Sequence, residues 1–243
     1  MIKISNLTKK YGELTVLDNL SLDIPDGETL AVIGPSGCGK STLLRLILAL
    51  EEPTSGTIAI DGQVISRLSE EGLISIRKKI GMVFQSSALF DSMSVFENIA
   101  FPLREHLKLS EAEIRKIVRS KLEMVELSGK GELMPSELSG GMQKRVSIAR
   151  ALAHDPKYIF YDEPTTGLDP ITSTTIENLI NKLALGLKVT SIMVTHQLST
   201  IFRTAHRIIM LDKGKFIDSG TVDETKKSHN PVVHKFINAG IEN

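Results

Sequence analysis

Leu30-Ala31-Val32-Ile33-Gly34-Pro35-Ser36-Gly37-Cys38-Gly39-Lys40-Ser41-Thr42 begins with four apolar residues and continues with the spacing G-x-x-x-x-G-K-[ST]. The apolar run reads as a buried strand. Leu43 to Leu50, apolar apart from Arg45, reads as the helix that follows. Strand, glycine loop and helix in this order are the setting in which the spacing cradles phosphate. The glycines let the backbone curl until successive N–H groups point inward, and the helix N-terminus adds its partial positive charge. Lys40 can reach the β- and γ-phosphates of a nucleotide, and Ser41 can place its hydroxyl on Mg²⁺. The stretch therefore predicts an α/β fold of the P-loop NTPase kind, with ATP and Mg²⁺ as its ligands.

The composition narrows the rest. A chain of 243 residues holds one large α/β domain or two small ones. Lys+Arg and Asp+Glu both number 29, and this balance argues against a broad basic surface for nucleic acid. Met1 to Asn6 has no apolar signal-peptide core. The longest apolar run, Leu43 to Leu50, is far short of the ~20 residues a bilayer span needs. The expectation is a soluble chain whose membrane role, if it has one, comes through a partner. Cys38 is the single cysteine, so no internal disulfide forms and a reducing cytosol suits the chain. No base stands beside it in sequence, and it reads as a small side chain the loop tolerates.

Taken in order, Ile2 to Leu7 alternates as a half-buried strand, and Lys9-Lys10-Tyr11-Gly12 reads as a turn. Val16 to Ile24 alternates again before the turn Pro25-Asp26-Gly27. Thr57 to Ile60 with Asp61-Gly62 reads as a strand and tight turn, and Ile80 to Phe84 as a short strand ending at Gln85. From Ser86 to about Ala153 the pattern is helical. Ser94 to Ile99 predicts a short helix stopped near Pro102. Ser110-Glu111-Ala112-Glu113 is a capping box opening a helix to about Leu127, and a further helix runs from Met142 to about His154. Tyr158 to Tyr161 is a strand ending in Asp162-Glu163. Pro170 opens a helix to Leu187. Val189 to Val194 is a strand ending at Thr195-His196, Leu198 to Ala205 is helical, and Arg207 to Leu211 is a strand before Lys213-Gly214. The stretch from Thr221 reads as a short helical tail with no further domain. Nucleotide-binding elements lie on both sides of the helical block, which implies one domain with a helical insertion.

Two further stretches carry chemistry. Asp162, at the end of an apolar strand, offers a carboxylate where Mg²⁺ sits, and Glu163 can polarise an attacking water as general base. Ser139, Gly140 and Gly141 precede a helix and present a second set of backbone N–H groups to an anion. His154 and His206 have no such context and read as structural.

On these motifs the chain resembles the nucleotide-binding subunits of ABC transporters over nearly its whole length and in the family's order. The resemblance implies that Tyr11 stacks on adenine and that Gly34 to Thr42 is the Walker A loop. Gln85 corresponds to the Q-loop residue, coupling Mg²⁺ and the attacking water to the helical block. Leu138 to Met142 corresponds to the signature motif, with Met142 where the family most often has Gln. Asp162 and Glu163 correspond to the Walker B aspartate and catalytic glutamate, Leu168-Asp169 to the D-loop, and His196 to the switch histidine at the γ-phosphate. It also implies an organisation: a core formed by 1–85 and 155–220 with an antiparallel β part, an inserted helical subdomain over 86–154, and a tail over 221–243.

The resemblance further implies a homodimer in which the loop of one copy faces the signature of the other. Ser139 and its glycine amides from a second copy would close the open side of the γ-phosphate and exclude solvent. An integral-membrane permease would then sit against the helical block. Its contact is expected just after Gln85, where Leu89, Phe90 and Met93 cannot all face inward. The run from Phe84 to Asn98, continued by Phe101 to His106, is similar to the Mla-type branch, as are Met134 to Glu137 and Met142. That branch drives phospholipid movement between bacterial membranes with a permease and an MCE-domain lipid-binding protein, from the cytoplasmic face of the inner membrane. The alternative is the ATPase of an amino acid or metal-chelate importer. ABC ATPases of DNA repair or translation usually carry a long coiled coil or a second cassette, and neither is present here.

Overall fold

The computed structural model describes residues 1–241, with the side chains of 218, 219 and 239–241 excepted. Two hairpin-linked strands come first, β1 (Ile2–Tyr11) and β2 (Leu14–Ile24), followed by β3 (Thr29–Ile33) and α1 (Lys40–Ile47). Next are β4 (Ser55–Ile60), β5 (Gln63–Val64), α2 (Glu70–Arg77) and β6 (Ile80–Val83). The helical stretch holds α3 (Val95–His106), α4 (Glu111–Met124) and α5 (Gly140–Ala151). The chain then alternates through β7 (Tyr158–Asp162), α6 (Pro170–Leu187), β8 (Thr190–Val194), α7 (Leu198–Thr204) and β9 (Arg207–Asp212). It closes with β10 (Lys215–Gly220), α8 (Val222–Lys226) and α9 (Pro231–Ile241).

One sheet has the order β2-β1-β4-β5 and is antiparallel. The other runs β10-β9-β3-β8-β7-β6, parallel from β9 to β6 with β10 antiparallel at its edge. Period-2 alternation explains how three cores share the parallel sheet. Tyr158 and Phe160 of β7, Leu30 and Val32 of β3, and Ile209 and Leu211 of β9 point to the antiparallel sheet and α1, where they meet Ile4, Leu43 and Ile58. On the opposite face, Ile159 and Tyr161 meet Ile99, Val118, Val146 and Ile180. Ala31, Ile33, Ile208 and Met210 meet Ile201, Val233 and Ile237. The core of the helical stretch is continuous with the sheet, so its hydrophobic cluster crosses the sequence boundary near 154.

Several expectations need correction. Lys9 to Tyr11 is strand rather than turn: Lys10 pairs with Thr15 and Tyr11 with Leu14, and the chain reverses at Gly12 with φ 58°. β1 lies between β2 and β4, and its lysines, whose side chains leave the backbone groups free, do not interrupt that pairing. Pro102 does not stop α3, which runs twelve residues through it. One missing N–H is tolerated because the turn beyond it is anchored twice. Leu103 is fully buried. The Arg104 guanidinium grips Glu111 at 2.8 and 2.9 Å and also contacts Glu97. α4 ends at Met124 and α5 at Ala151, short of Leu127 and His154. The sequence pattern marks neither α2, which has Gly72 in its first turn and buries only Ile76, nor the edge strand β10. The tail packs α9 on the core through Val233 and Ile237, one helical turn apart; residues 242–243 of that tail lie outside the described residues.

Candidate nucleotide site

Four neighbouring parallel strands end on one edge, and each delivers a predicted site residue there. β3 leads into the glycine loop, β8 into Thr195-His196, β7 into Asp162-Glu163 and β6 toward Gln85. The carboxyl edge of a parallel sheet is where such folds bind ligands. A cavity of about 400 Å³ opens on it, lined by Ser36 to Thr42 apart from Cys38, with Arg45, Gln85, Asp162, Glu163, Val194 and His196.

The loop backbone is shaped for an anion. Gly34 sits at φ 148°, and a Cβ there would stand 2.1 Å from Leu211 O. Gly39 sits at φ 107°, and its Cβ would meet Leu17 Cδ2 at 2.8 Å. Both positions admit glycine alone. α2 to α6 each begin with a Ser or Asp side chain accepting a first-turn N–H, whereas α1 begins at Gly39 with no side-chain cap. Its first-turn donors are thus left to whatever enters the cavity. Lys40 Nζ spans the loop, donating to Gly34 O at 2.8 Å and Pro35 O at 2.9 Å. Cys38 Sγ lies 3.8 Å from Lys40 Nζ, and burial holds its thiol above its ordinary pKa, so it stays protonated and inert.

Opposite the loop stand two adjacent carboxylates. Asp162 has a pKa raised by burial and then by the charge of Glu163, with Lys40, Arg45 and Lys144 opposing. A carboxyl that holds its proton more tightly folded than unfolded makes the fold less stable as pH rises from the ordinary carboxylate range through its raised pKa. The penalty is present once pH exceeds the raised pKa. Asp162→Asn removes it, so the ligand-free protein should melt higher than the parent at pH 7, and the gain should shrink in acid. Scanning calorimetry at both pH values checks this; an unchanged or lower midpoint at pH 7 contradicts it.

Glu163 is held from several sides. Its backbone is left-handed at φ 50°, and its N–H donates to Val194 O at 2.8 Å. Thr166 Oγ1 and Thr195 Oγ1 each donate to Oε2 at 2.9 Å, and His196 Nδ1 lies 2.8 Å from Oε1. The carboxylate is therefore oriented by two loops at once, and it brings His196 with it. A non-glycine residue held left-handed costs ~1–3 kcal/mol, a strain that concentrates at functional sites. Oxygen donors from Ser41, Gln85 and Asp162 line the same cavity. Such a set suits a small hard cation that keeps phosphate and water ligands, as Mg²⁺ does. Among the described residues no group of three His, Cys, Asp or Glu side chains could cage a metal by itself.

Other predicted residues lie elsewhere. Tyr11 ends β1 outside the cavity lining, 45% exposed, its hydroxyl on the Glu51 carboxylate and its ring 4.8 Å below Lys9 Nζ. Ser139 caps α5 by accepting from Met142 N at 3.3 Å. Ser139 and Gly140 are exposed, and neither they nor Gly141 reach the cavity of their own chain. Gly141 is required by close packing, since a Cβ there would meet Thr172 Cγ2 at 2.5 Å. Met142 packs against the helical core. His206 is structural as expected, its Nδ1 accepting from Thr29 N at 3.0 Å, and His154 is partly buried with both ring nitrogens shielded from solvent. Sequence reasoning passed over Thr166, Thr195, Lys144 and Arg150. Thr195 could have been noticed as a hydroxyl between a buried strand and the predicted histidine. The helix-borne Lys144 and Arg150 left no local signal.

A phosphate loop, a pair of carboxylates and a histidine gathered at one edge of a parallel sheet define a nucleoside triphosphatase of the phosphate-loop class. The chain belongs to the ABC transporter family, whose model matches residues 17–166, and it is an ATP-binding, ATP-hydrolysing member of it. It is 46% identical over 237 residues, 98% of this chain and 90% of the relative, to the intermembrane phospholipid transport system ATP-binding protein MlaF of Haemophilus influenzae. The methionine import ATP-binding protein MetN of the same species is 42% identical over 92% of this chain and 66% of that protein. Among solved structures, the dimeric post-hydrolysis state of the ATP-binding cassette MJ0796 bound to ADP and Pi matches with a TM-score of 0.82 at 38% identity, covering 91% of this chain and 99% of that one. No helix among the described residues is long and apolar enough to cross a membrane.

Proposed function

We propose that this ATPase drives phospholipid movement between bacterial membranes, working as a homodimer on the cytoplasmic face of the inner membrane with permease subunits and an MCE-domain lipid-binding protein. The observation that carries the reading is the match to the phospholipid-transport relative, at 46% identity along nearly the full length of both chains. A methionine-import relative at 42% identity keeps an importer of amino acids or metal chelates as the second reading. Gentle purification from the native membrane with mass spectrometry of what comes along separates them. A permease with an MCE-type protein supports the first, and a permease with a soluble solute-binding protein replaces it with the second.

Within the site, the Gly34 to Thr42 backbone and Lys40 hold the triphosphate, and Tyr11 stacks on the adenine at the far end. Ser41, Gln85 and Asp162 hold Mg²⁺, which when bound neutralises charge on the β- and γ-phosphate oxygens. Glu163 takes a proton from the attacking water, and His196, held on Glu163 Oε1 at 2.8 Å, faces the γ-phosphate. The cavity is open on one side. Ser139, Gly140 and Gly141 of a second copy close it and exclude water, so assembly depends on ATP and hydrolysis releases it. Residues 86–154 act as the helical unit that passes this cycle to the permease.

The exposed aromatic patch beside Gln85 is the docking face. Phe90 is 42% exposed, its ring tilted against Phe101 with centroids 5.1 Å apart and Arg150 over one side, while Leu89 turns in to the helical core. Phe90→Asp, with Leu89 left in the core, should leave ATP affinity unchanged by calorimetry and abolish co-purification of the permease. A permease that stays bound places the contact elsewhere.

A further inference from the structure

α5 starts at Ser139 on the exposed face and runs back beneath the sheet to β6, where it packs so closely that a Cβ on Gly81 would stand 2.4 Å from Ala151 O. Two cations of this helix reach the active-site loops. Lys144 is 4% exposed, and its ammonium donates to Phe84 O at 3.2 Å, to Glu163 O at 3.4 Å and to Gln85 O. Three donors meet three carbonyls, so the group is saturated. Arg150 donates to Ser87 O at 2.9 Å and Ala88 O at 2.7 Å. Glu163, Ser87 and Ala88 are all left-handed, at φ 50°, 62° and 47°. Burying an ammonium is costly, and an apolar side chain of equal length would fill the same space without that cost. What the charge adds here is a grip on backbone carbonyls at the ends of β6 and β7, the two strands that present Gln85 and Glu163. We propose that Lys144 is a positioning residue: it ties Gln85 and Glu163 of its own chain to the helix whose other end carries Ser139, so that closure of a partner's site at Ser139 is felt at this chain's own hydrolytic site.

The coupling rests on the reading that Ser139 serves a second copy, and the test separates the two. Lys144→Met replaces the aliphatic stem and removes every donor, and Lys144→Gln keeps a neutral donor on an arm of the same reach as Met, just short of the lysine ammonium. Misplacing a reacting group by about 1 Å costs roughly 10²-fold. kcat for ATP should therefore fall by about 10- to 100-fold in the Met variant and by about 3- to 10-fold in the Gln variant. The ATP Kd should stay within about twofold in both, and the Hill coefficient for ATP should drop to about 1. A merely structural lysine would lower the melting point and move kcat and Kd together. The idea is overturned if both variants keep kcat within twofold, or if ATP affinity falls in step with kcat. Should the Met variant not fold, the Gln variant decides alone by the same split. Light scattering on Glu163→Gln with ATP is run beside it. A dimer there, with Lys144 variants of unchanged kcat and Hill coefficient, removes this inference and spares the shared site. No dimer there removes the shared site and with it the coupling.

Discussion

Glu163→Gln should bind ATP with unchanged affinity, hydrolyse it about 10²–10⁴ times more slowly, the range a positioned general base supplies, and persist as a dimer in ATP. The substitution removes the charge and keeps the shape. Oε2 of Glu163 receives two threonine hydroxyls and Oε1 faces His196 Nδ1. An amide nitrogen in the Oε2 place can donate to the same hydroxyls, which turn to accept, and the amide oxygen can still face the imidazole. The loop therefore keeps its geometry, and only the capacity to take a proton from water is lost. Binding is spared because the phosphate donors come from the loop after β3 and the start of α1, across the cavity. With hydrolysis blocked, the γ-phosphate stays in place, and so does the bridge to Ser139 of a second copy that the proposed shared site requires. Single-turnover hydrolysis and light scattering read the two effects. Turnover within tenfold of the parent would overturn the role of Glu163, and a monomer at saturating ATP would overturn the shared site.

How much of this was legible beforehand differs by element. The parallel strands were, because their apolar runs are short, and because their ends carry the site residues. The helix over Pro170–Leu187 falls where Pro at its first position and the Asp169 cap place it, with Asp169 accepting from Ile171 N and Thr172 N at 3.0 Å each. The Ser110 capping box forms as read, Glu113 accepting from Ser110 N at 2.8 Å. Pro102 misled because local propensity was outweighed by an inter-helix anchor, Arg104 to Glu111, that no local pattern announces. β10 was missed because an edge strand facing solvent on one side needs no apolar run. In the site, the residues proposed to touch phosphate or metal are fixed by spacing and could be named. The residues that hold them, Thr166, Thr195 and Lys144, come from other segments, and only the folded chain brings them within hydrogen-bond distance. Lys144 is the clearest case, since nothing about a lysine in a polar helix start suggests that it is buried against the carbonyls of Gln85 and Glu163.

Lys40→Ala should break nucleotide binding while leaving the fold intact. The ammonium is the one side-chain cation of the loop itself, set at the open N-terminus of α1 and held 2.8 Å from Gly34 O. With a triphosphate in the cavity its donors turn to the β- and γ-oxygens. Each charged hydrogen bond lost is worth about 1.5–3 kcal/mol, so affinity should fall by one to two powers of ten per bond. Stability should change little, because the loop conformation is set by Gly34 and Gly39, whose close contacts with Leu211 O and Leu17 Cδ2 do not involve Lys40. That separation makes the experiment decisive: calorimetric titration with ATP reads the affinity, and thermal melting without ligand reads the fold. Unchanged affinity in a folded variant would mean that the loop amides alone hold the phosphates. A Gly34→Ala variant would then have to lose binding instead, since its Cβ would stand 2.1 Å from Leu211 O and force the loop out of shape.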